Sequence, residues 1–458
     1  MGVFHTFLHF STPIASGGLL PSRFVPPSRR GASRRRTAAA AYLAARTRFG
    51  IKFGLDTTRA LLEELGHPEQ ACAALLVAGT NGKGSVVAYL DAALRASGLR
   101  VGRYVSPHLV SVHERIAVGG QDIAPAAFER AVRGVRLAAE RLLRAGRIPG
   151  HPTYFEVLTV AAFSHFRAEA VQVAVLEVGM GGRLDATNAV EPAASAIVTL
   201  GFDHEAYLGD TLAAIAREKA GVLRAGRTTV LGRLPAEARD AIVAEAAERD
   251  AVLLEAAQGV TVRDTSDGIE IQTPQALYRG LRPLPGGHQR DNLVVALRLL
   301  ETARAAGIRV ALETVAAAIA TTRWPGRLEW VAGDPPLLLD GAHNPMGAAV
   351  LAAHLRALGP FVLLFGAMAD KDVGGMARAL FPQAADIVLT RPPVSRAATP
   401  EEIAARVEGL AARAHLEANL RRALALARRL ARGRGPVVVA GSLYLVGAVL
   451  GTLRRPRK

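Results

Sequence analysis

A chain of 458 residues, half of them hydrophobic and 5% aromatic, has apolar material for two or three domains of ordinary size. Its formal charge of +16 raises the question of nucleic acid. However, residues 1–50 hold eight arginines and no acid, and the remaining excess is spread through helices that mix Arg with Glu, with no basic stretch interleaved with aromatics. The lone Cys72 excludes an internal disulfide and a cysteine metal cluster and fits a reducing, cytoplasmic setting.

Residues 1–41 read as a leader. They combine Ser, Pro and Arg with no acid and no sustained period. A transit peptide, an N-myristoylation signal at Gly2 with Thr6, and a start assigned too far upstream all match. A misplaced start or a disordered leader is the preferred expectation, with the folded pattern beginning near Tyr42.

The apolar strand Leu75–Ala78 then runs into Gly79-Thr80-Asn81-Gly82-Lys83-Gly84-Ser85. Glycines let backbone N–H groups close around phosphate oxygens, Lys83 adds a positive charge, and a helix expected from about Ser85 to Ser97 turns its N-terminus to the anion. Gly84 separates Lys83 from Ser85, so the loop is a variant of the strict phosphate-loop pattern. Strands at 101–105, 171–178, 196–200 and 229–231 alternate with helices at 125–145 and 155–167, which predicts a doubly wound α/β core around a parallel sheet. Ligands are expected at the carboxyl ends of its strands. Residues 252–282 read as a β insertion. Past the linker Trp324-Pro325-Gly326 the alternation resumes at 337–339, 362–365, 387–390 and 437–440. The run from Val437 to Leu450 is the longest apolar candidate and is too short for a bilayer. The fold class is α/β: a nucleotide-binding domain with a phosphate loop over 42–322 and a smaller Rossmann-like domain over 323–458, with the active site in the cleft between them.

Several strings carry a family likeness: the Gly79–Ser85 loop, Tyr104-Val105-Ser106-Pro107-His108-Leu109, Glu177 to Asn188, Asp203-His204, Glu218-Lys219-Ala220-Gly221, Asp340-Gly341-Ala342-His343-Asn344-Pro345 and Gly441-Ser442-Leu443-Tyr444. Together, in this order from about residue 42 to the end, they resemble folylpolyglutamate synthase/dihydrofolate synthase, of the Mur-type ligases. The resemblance implies a monomeric ATP-dependent amide ligase. It would activate a carboxylate of dihydropteroate or a folate as an acyl phosphate and join it to L-glutamate, with no nucleic acid or membrane as partner. A UDP-muramyl-peptide ligase of the same superfamily and a basic nucleic-acid-binding NTPase are the competing readings. Ser106 to Leu109 and Glu177 to Asn188 favour the folate branch.

The resemblance also implies roles. Thr80, Asn81, Gly82, Lys83, Gly84 and Ser85 would hold the phosphates, and Asn292, Arg327 and Asp340 the nucleotide. Ser106, Glu177 and His204 would hold one of two Mg²⁺ ions, and Lys219, carbamylated by CO₂, the second. Lys83, Lys219 and His204 form the catalytic set. Thr153, Tyr154, Phe155 and Glu156 would line a pterin pocket beside Leu184, Asp185 and Ala186, and His343 and Ser442 would meet the incoming glutamate. Plain chemistry leaves alternatives open. Ser106 before Pro107 suits a turn, His204 is an unusual Mg²⁺ ligand, Lys219 suits a helical salt bridge, Phe155 suits a core, and His343 could stack on adenine or cap a helix. Glu177 is the exception: a carboxylate ending an apolar strand is costly unless it meets a cation.

Overall fold

Leu75, Leu76, Val77 and Ala78 are all fully buried, with Leu75 and Val77 packed into one apolar cluster and Leu76 and Ala78 into another on the opposite face. That is the signature of a central strand in a sheet covered on both sides. In the computed structural model, which describes residues 37–46 and 54–454 apart from 408 and 413, this strand is β1 (Ala73–Ala78). Most of the expected leader, the segment 47–53 and residues 455–458 lie outside the described residues. The described residues from Ala38 onward belong to one compact unit.

The first sheet has eight strands: β1, β2 (Val101–Tyr104), β3 (Ile116–Val118), β4 (Gln121–Asp122), β5 (Val173–Glu177), β6 (Ala194–Ile197), β7 (Thr228–Leu231) and β8 (Val252–Glu255). Their order is β4-β3-β2-β5-β1-β6-β7-β8. The six strands from β2 to β8 in that order are parallel, whereas β3 and β4 run antiparallel at one edge, so the sheet is mixed rather than wholly parallel. The short crossing from β2 to β3 allows only the antiparallel return.

The expected β insertion is also smaller than its sequence pattern. Its first segment joins the main sheet as β8, and only β9 (Thr261–Thr265), β10 (Gly268–Gln272) and β11 (Leu277–Leu281) form a separate antiparallel sheet. Buried Glu301 on the helix His288–Ala305 ties it down, accepting from Thr273 and Tyr278 hydroxyls and pairing with Arg298 at 2.7 Å.

The second sheet comprises β12 (Glu329–Val331), β13 (Leu337–Leu339), β14 (Val362–Phe365), β15 (Asp386–Leu389), β16 (Ala414–Leu416) and β17 (Val437–Ala440) in the order β12-β13-β17-β14-β15-β16, parallel except for β12. The apolar run after Pro436 resolves into β17 and the buried helix Leu443–Leu453. Among the described residues no helix is long and apolar enough to cross a membrane.

The two lobes meet closely where Gly447 on that last helix faces the segment after β2: a Cβ at Gly447 would stand 1.9 Å from the Leu109 carbonyl oxygen. Backbone cannot yield as a side chain can. Gly447→Ala is therefore expected to lower stability by about 1–3 kcal/mol, read from the urea midpoint, while Gly451→Ala, whose Cβ would have ordinary contact with Val110 at 3.8 Å, should leave it within about 0.5 kcal/mol.

Candidate functional site

Four adjacent strands, β2, β5, β1 and β6, end at the same edge of the first sheet; β5 ends on Glu177 itself, and the segments leaving β2, β1 and β6 carry Ser106, the Gly79–Ser85 loop and the Asp203-His204 pair. The chain order reverses about β1, whose neighbours are β5 and β6. This is the switch point where doubly wound sheets open a crevice. A cavity of about 380 Å³ lies there. It is closed from the other lobe by Arg327, Asp340 and His343.

The phosphate loop is laced to the chain beyond β6. Thr80 N–H donates to the Thr199 carbonyl at 2.8 Å, Asn81 N–H to the Thr199 hydroxyl at 2.9 Å, and the Thr80 hydroxyl to the Gly201 carbonyl at 3.1 Å. Thr80 therefore braces the loop through both its N–H and its hydroxyl. The helix starts at Lys83, two residues ahead of expectation, because Gly82 takes the left-handed N-cap conformation at φ 81°. Its first-turn N–H groups have no intrahelical partner and are the donors open to an anion. Gly84 has a packing reason: a Cβ there would stand 2.8 Å from the indole nitrogen of Trp324 in the linker. The Ser85 hydroxyl is buried and accepts from Gln289 at 3.1 Å.

Charge is concentrated in this cavity. Lys83 Nζ donates to the carbonyls of Gly79 at 2.9 Å and Thr80 at 3.1 Å, and Lys219 Nζ donates to the same Gly79 carbonyl at 3.1 Å. Burial, followed by the nearby charge of Lys83, brings the Lys219 amine down to about 7, and burial also lowers Lys83, opposed by Glu177 and Asp203. Glu177 is buried, accepts the Ser106 N–H at 3.1 Å, and is raised by desolvation against the pull of Lys83. Burial holds the imidazoles of His204 and His343 near 4. His343 donates from Nδ1 to the Gly341 carbonyl at 2.8 Å, which leaves Nε2 facing Asp203 at 3.8 Å.

The structure thus gathers Thr80 to Ser85, Ser106, Glu177, His204, Lys219, Asn292, Arg327, Asp340 and His343 around one cavity. Asn292 is held by Gln289 at 3.1 Å, and Asp340 accepts the N–H groups of Leu328 and Ala342, fixing the linker. Among the described residues no three His, Cys, Asp or Glu side chains cluster as a ready metal cage. One carboxylate, a hydroxyl and an imidazole beside a phosphate cradle still fit Mg²⁺, which takes few protein ligands and completes its shell with phosphate oxygens and water.

Other expected residues lie elsewhere. Thr153 and Glu156 spend their side chains on a reciprocal capping box for the helix Tyr154–Ala168, with Glu156 accepting the Thr153 N–H at 2.7 Å. Asp185 caps its own turn, accepting from Thr187 and Met180. The buried Ser442 caps the last helix by accepting the Tyr444 N–H at 3.1 Å, so its hydroxyl is turned into the fold rather than into the cavity. Leu184 and Ala186 lie outside the cavity wall. Tyr154 and Phe155 pack against the core, and Phe155 backs Gly179 on that wall: a Cβ there would stand 2.6 Å from its ring. Sequence reasoning assigned nothing to Lys371, which pairs with Asp203 across the lobes. Its signal was a lysine between Asp370 and Asp372 just beyond an apolar strand.

Residues 77–300 match the Mur ligase middle domain and residues 326–443 the Mur ligase, glutamate ligase domain, which sets the class: a two-lobed ligase of the Mur type. The chain is 37% identical over 89% of its length to a probable bifunctional folylpolyglutamate synthase/dihydropteroate synthase of Haloferax volcanii, and it spans 49% of that relative. To the dihydrofolate synthase/folylpolyglutamate synthase of Bacillus subtilis it is 34% identical, covering 75% of this chain and 82% of the relative. The solved Escherichia coli enzyme in complex with DHPP and ADP superposes with a TM-score of 0.81 at 29% identity, covering 91% of this chain and 98% of that one. A solved bifunctional folylpolyglutamate synthase/dihydrofolate synthase with Mn, AMPPNP and L-glutamate bound gives 0.80 at 30%, covering 92% and 98%. The chain belongs to the folylpolyglutamate synthase/dihydrofolate synthase family.

The buried lysine carries a pH signature. With its amine at about 7 in the folded chain and at the ordinary 10.5 once unfolded, the unfolded state binds more protons between those values, so stability rises with pH across that window. In CO₂-free buffer, Lys219→Met should raise the urea midpoint at pH 7, and the gain should shrink toward zero near pH 10.5. A gain that is constant with pH would contradict this.

Proposed function

We propose that this chain is an ATP-dependent amide ligase that adds L-glutamate to dihydropteroate, to the γ-carboxyl of a folate, or to both. The observation that carries the reading is the meeting of Lys83, Lys219 and Glu177 with Arg327 and Asp340 of the facing lobe in one cavity at the switch point. The ligands of the solved relatives, ADP with DHPP in one and AMPPNP with L-glutamate in another, support the same substrates.

The chemistry has two steps. An acceptor carboxylate oxygen attacks the γ-phosphorus of ATP; the bond to the bridging oxygen breaks, and ADP leaves with its electron pair. The amino nitrogen of glutamate then attacks the acyl carbon, expelling phosphate and releasing a proton. Both steps crowd anions, so positioning and charge compensation dominate. Lys83 and the N–H groups opening the helix Lys83–Ala96 hold the phosphates, Asn292 and Asp340 flank the nucleotide, and Arg327 reaches from the linker toward the transferring group. Ser106, Glu177, His204 and a carbamate on Lys219 would hold divalent cations, which when bound shield the attacking carboxylate from the triphosphate.

A Lys219 amine near 7 is about half unprotonated at neutral pH, where an ordinary lysine is almost wholly charged, and so is able to add to CO₂ with loss of a proton, turning a cation into an anionic ligand. Phe155, whose ring backs Gly179, and its neighbour Tyr154 would stand behind the wall that a pterin meets, and His343 would stand at the edge where glutamate enters. The two catalytic domains are taken as 42–322 and 323–458.

Purified protein with ATP, Mg²⁺ and L-glutamate should release ADP with dihydropteroate, tetrahydrofolate or both, and Lys83→Ala should reduce kcat by at least about 100-fold. No turnover with either acceptor, together with turnover of a UDP-muramyl substrate, would overturn the assignment. In ¹³C-bicarbonate the native protein should give a carbamate carbon resonance that is absent from Lys219→Ala, and that variant should lose activity. Full activity in it would refute the carbamate.

A further inference from the structure

Asp203 sits where the two lobes touch, its side chain only 8% exposed. One oxygen accepts its neighbour's N–H, that of His204, at 2.9 Å, and also pairs with Lys371 from the segment after β14, itself 8% exposed. The other oxygen accepts the Asn344 amide at 3.1 Å. Asn344 in turn exchanges amide hydrogen bonds of 3.1 and 3.0 Å with Asn81 of the phosphate loop. Phosphate loop, β6 loop and two second-lobe segments are thereby joined through four side chains. Next to them the tip of Met346 lies so close to Gly201 that a Cβ there would stand 2.2 Å away.

From this arrangement we infer that Lys371 is a positioning residue for ligation: through Asp203 it latches the second lobe onto the loop that presents His204, so that both halves of the site are assembled together. The inference rests on the ligase reading. Two desolvated, opposite charges reached from separate lobes hold one relative placement, and losing one leaves the other buried and unpaired. Small errors of placement cost large factors in rate. Lys371 lies behind Asp203 and does not line the cavity, so its loss should affect rate more than nucleotide affinity.

The test compares Lys371→Met, Lys371→Arg, Asp203→Asn and the Asp203→Asn/Lys371→Met double variant for kcat, KM for glutamate and ADP affinity. Lys371→Met should lower kcat about 10- to 100-fold with ADP affinity changed less than about 3-fold. Lys371→Arg should recover most of the rate, and the double variant should fall no further than the worse single one. Lys371→Gln serves if the methionine variant does not fold. Parent-like kcat in Lys371→Met, or multiplicative losses in the double variant, would overturn the latch. If the parent itself turns over no folate acceptor, the ligase reading fails, and small-angle scattering with ADP then decides the latch alone. A larger radius of gyration in Lys371→Met supports it, and an unchanged one refutes it.

Discussion

Two lysine side chains, Lys83 and Lys219, donate to a single carbonyl oxygen at Gly79 in a buried cavity. Ammonium groups taken out of water beside one another are unfavourable in an empty site and favourable only when anions arrive. The fold is organised to tolerate this. A sheet covered on both faces fixes the strand ends, the Thr199–Gly201 segment braces the loop, and the buried carboxylates of Glu177, Asp203 and Asp185 limit the repulsion. The stability such a site forgoes is the usual companion of a preorganised polar cavity.

The order of strands explains why residues from distant parts of the chain meet. β2, β5, β1 and β6 are adjacent and all end at the crevice, β5 on Glu177 itself and the others with loops that carry Ser106, Thr80 to Ser85, and Asp203 with His204. The second lobe repeats the device: Asp340 follows β13 and Lys371 follows β14, both beside β17. Each lobe therefore contributes loops from the carboxyl ends of central strands, and the cavity is the gap where the two sets face each other.

Much of this was legible in the sequence because glycine-rich turns after apolar strands have few other uses. The loop at Gly79–Ser85, the strand ending in Glu177 and the turn at Asp340 declared themselves in that way. What escaped notice depended on partners far along the chain. Lys371 has no meaning until Asp203, 168 residues earlier, is placed beside it. Thr153-Tyr154-Phe155-Glu156 is legible as a capping box by its spacing alone, and Thr153 and Glu156 form one. The antiparallel edge at β3 and the assignment of β8 to the main sheet followed from pairing partners, to which hydrophobic pattern is blind.

The contact between Gly84 and Trp324 has an optical consequence. The chain has two tryptophans, Trp324 and Trp330, and the second is half exposed to solvent. The indole of Trp324 instead rests on the opening turn of the helix Lys83–Ala96 and lies 5.2 Å from the Arg103 guanidinium. The linker therefore carries a built-in chromophore packed against the turn at Gly84, and its emission reports any change in that contact without an added label.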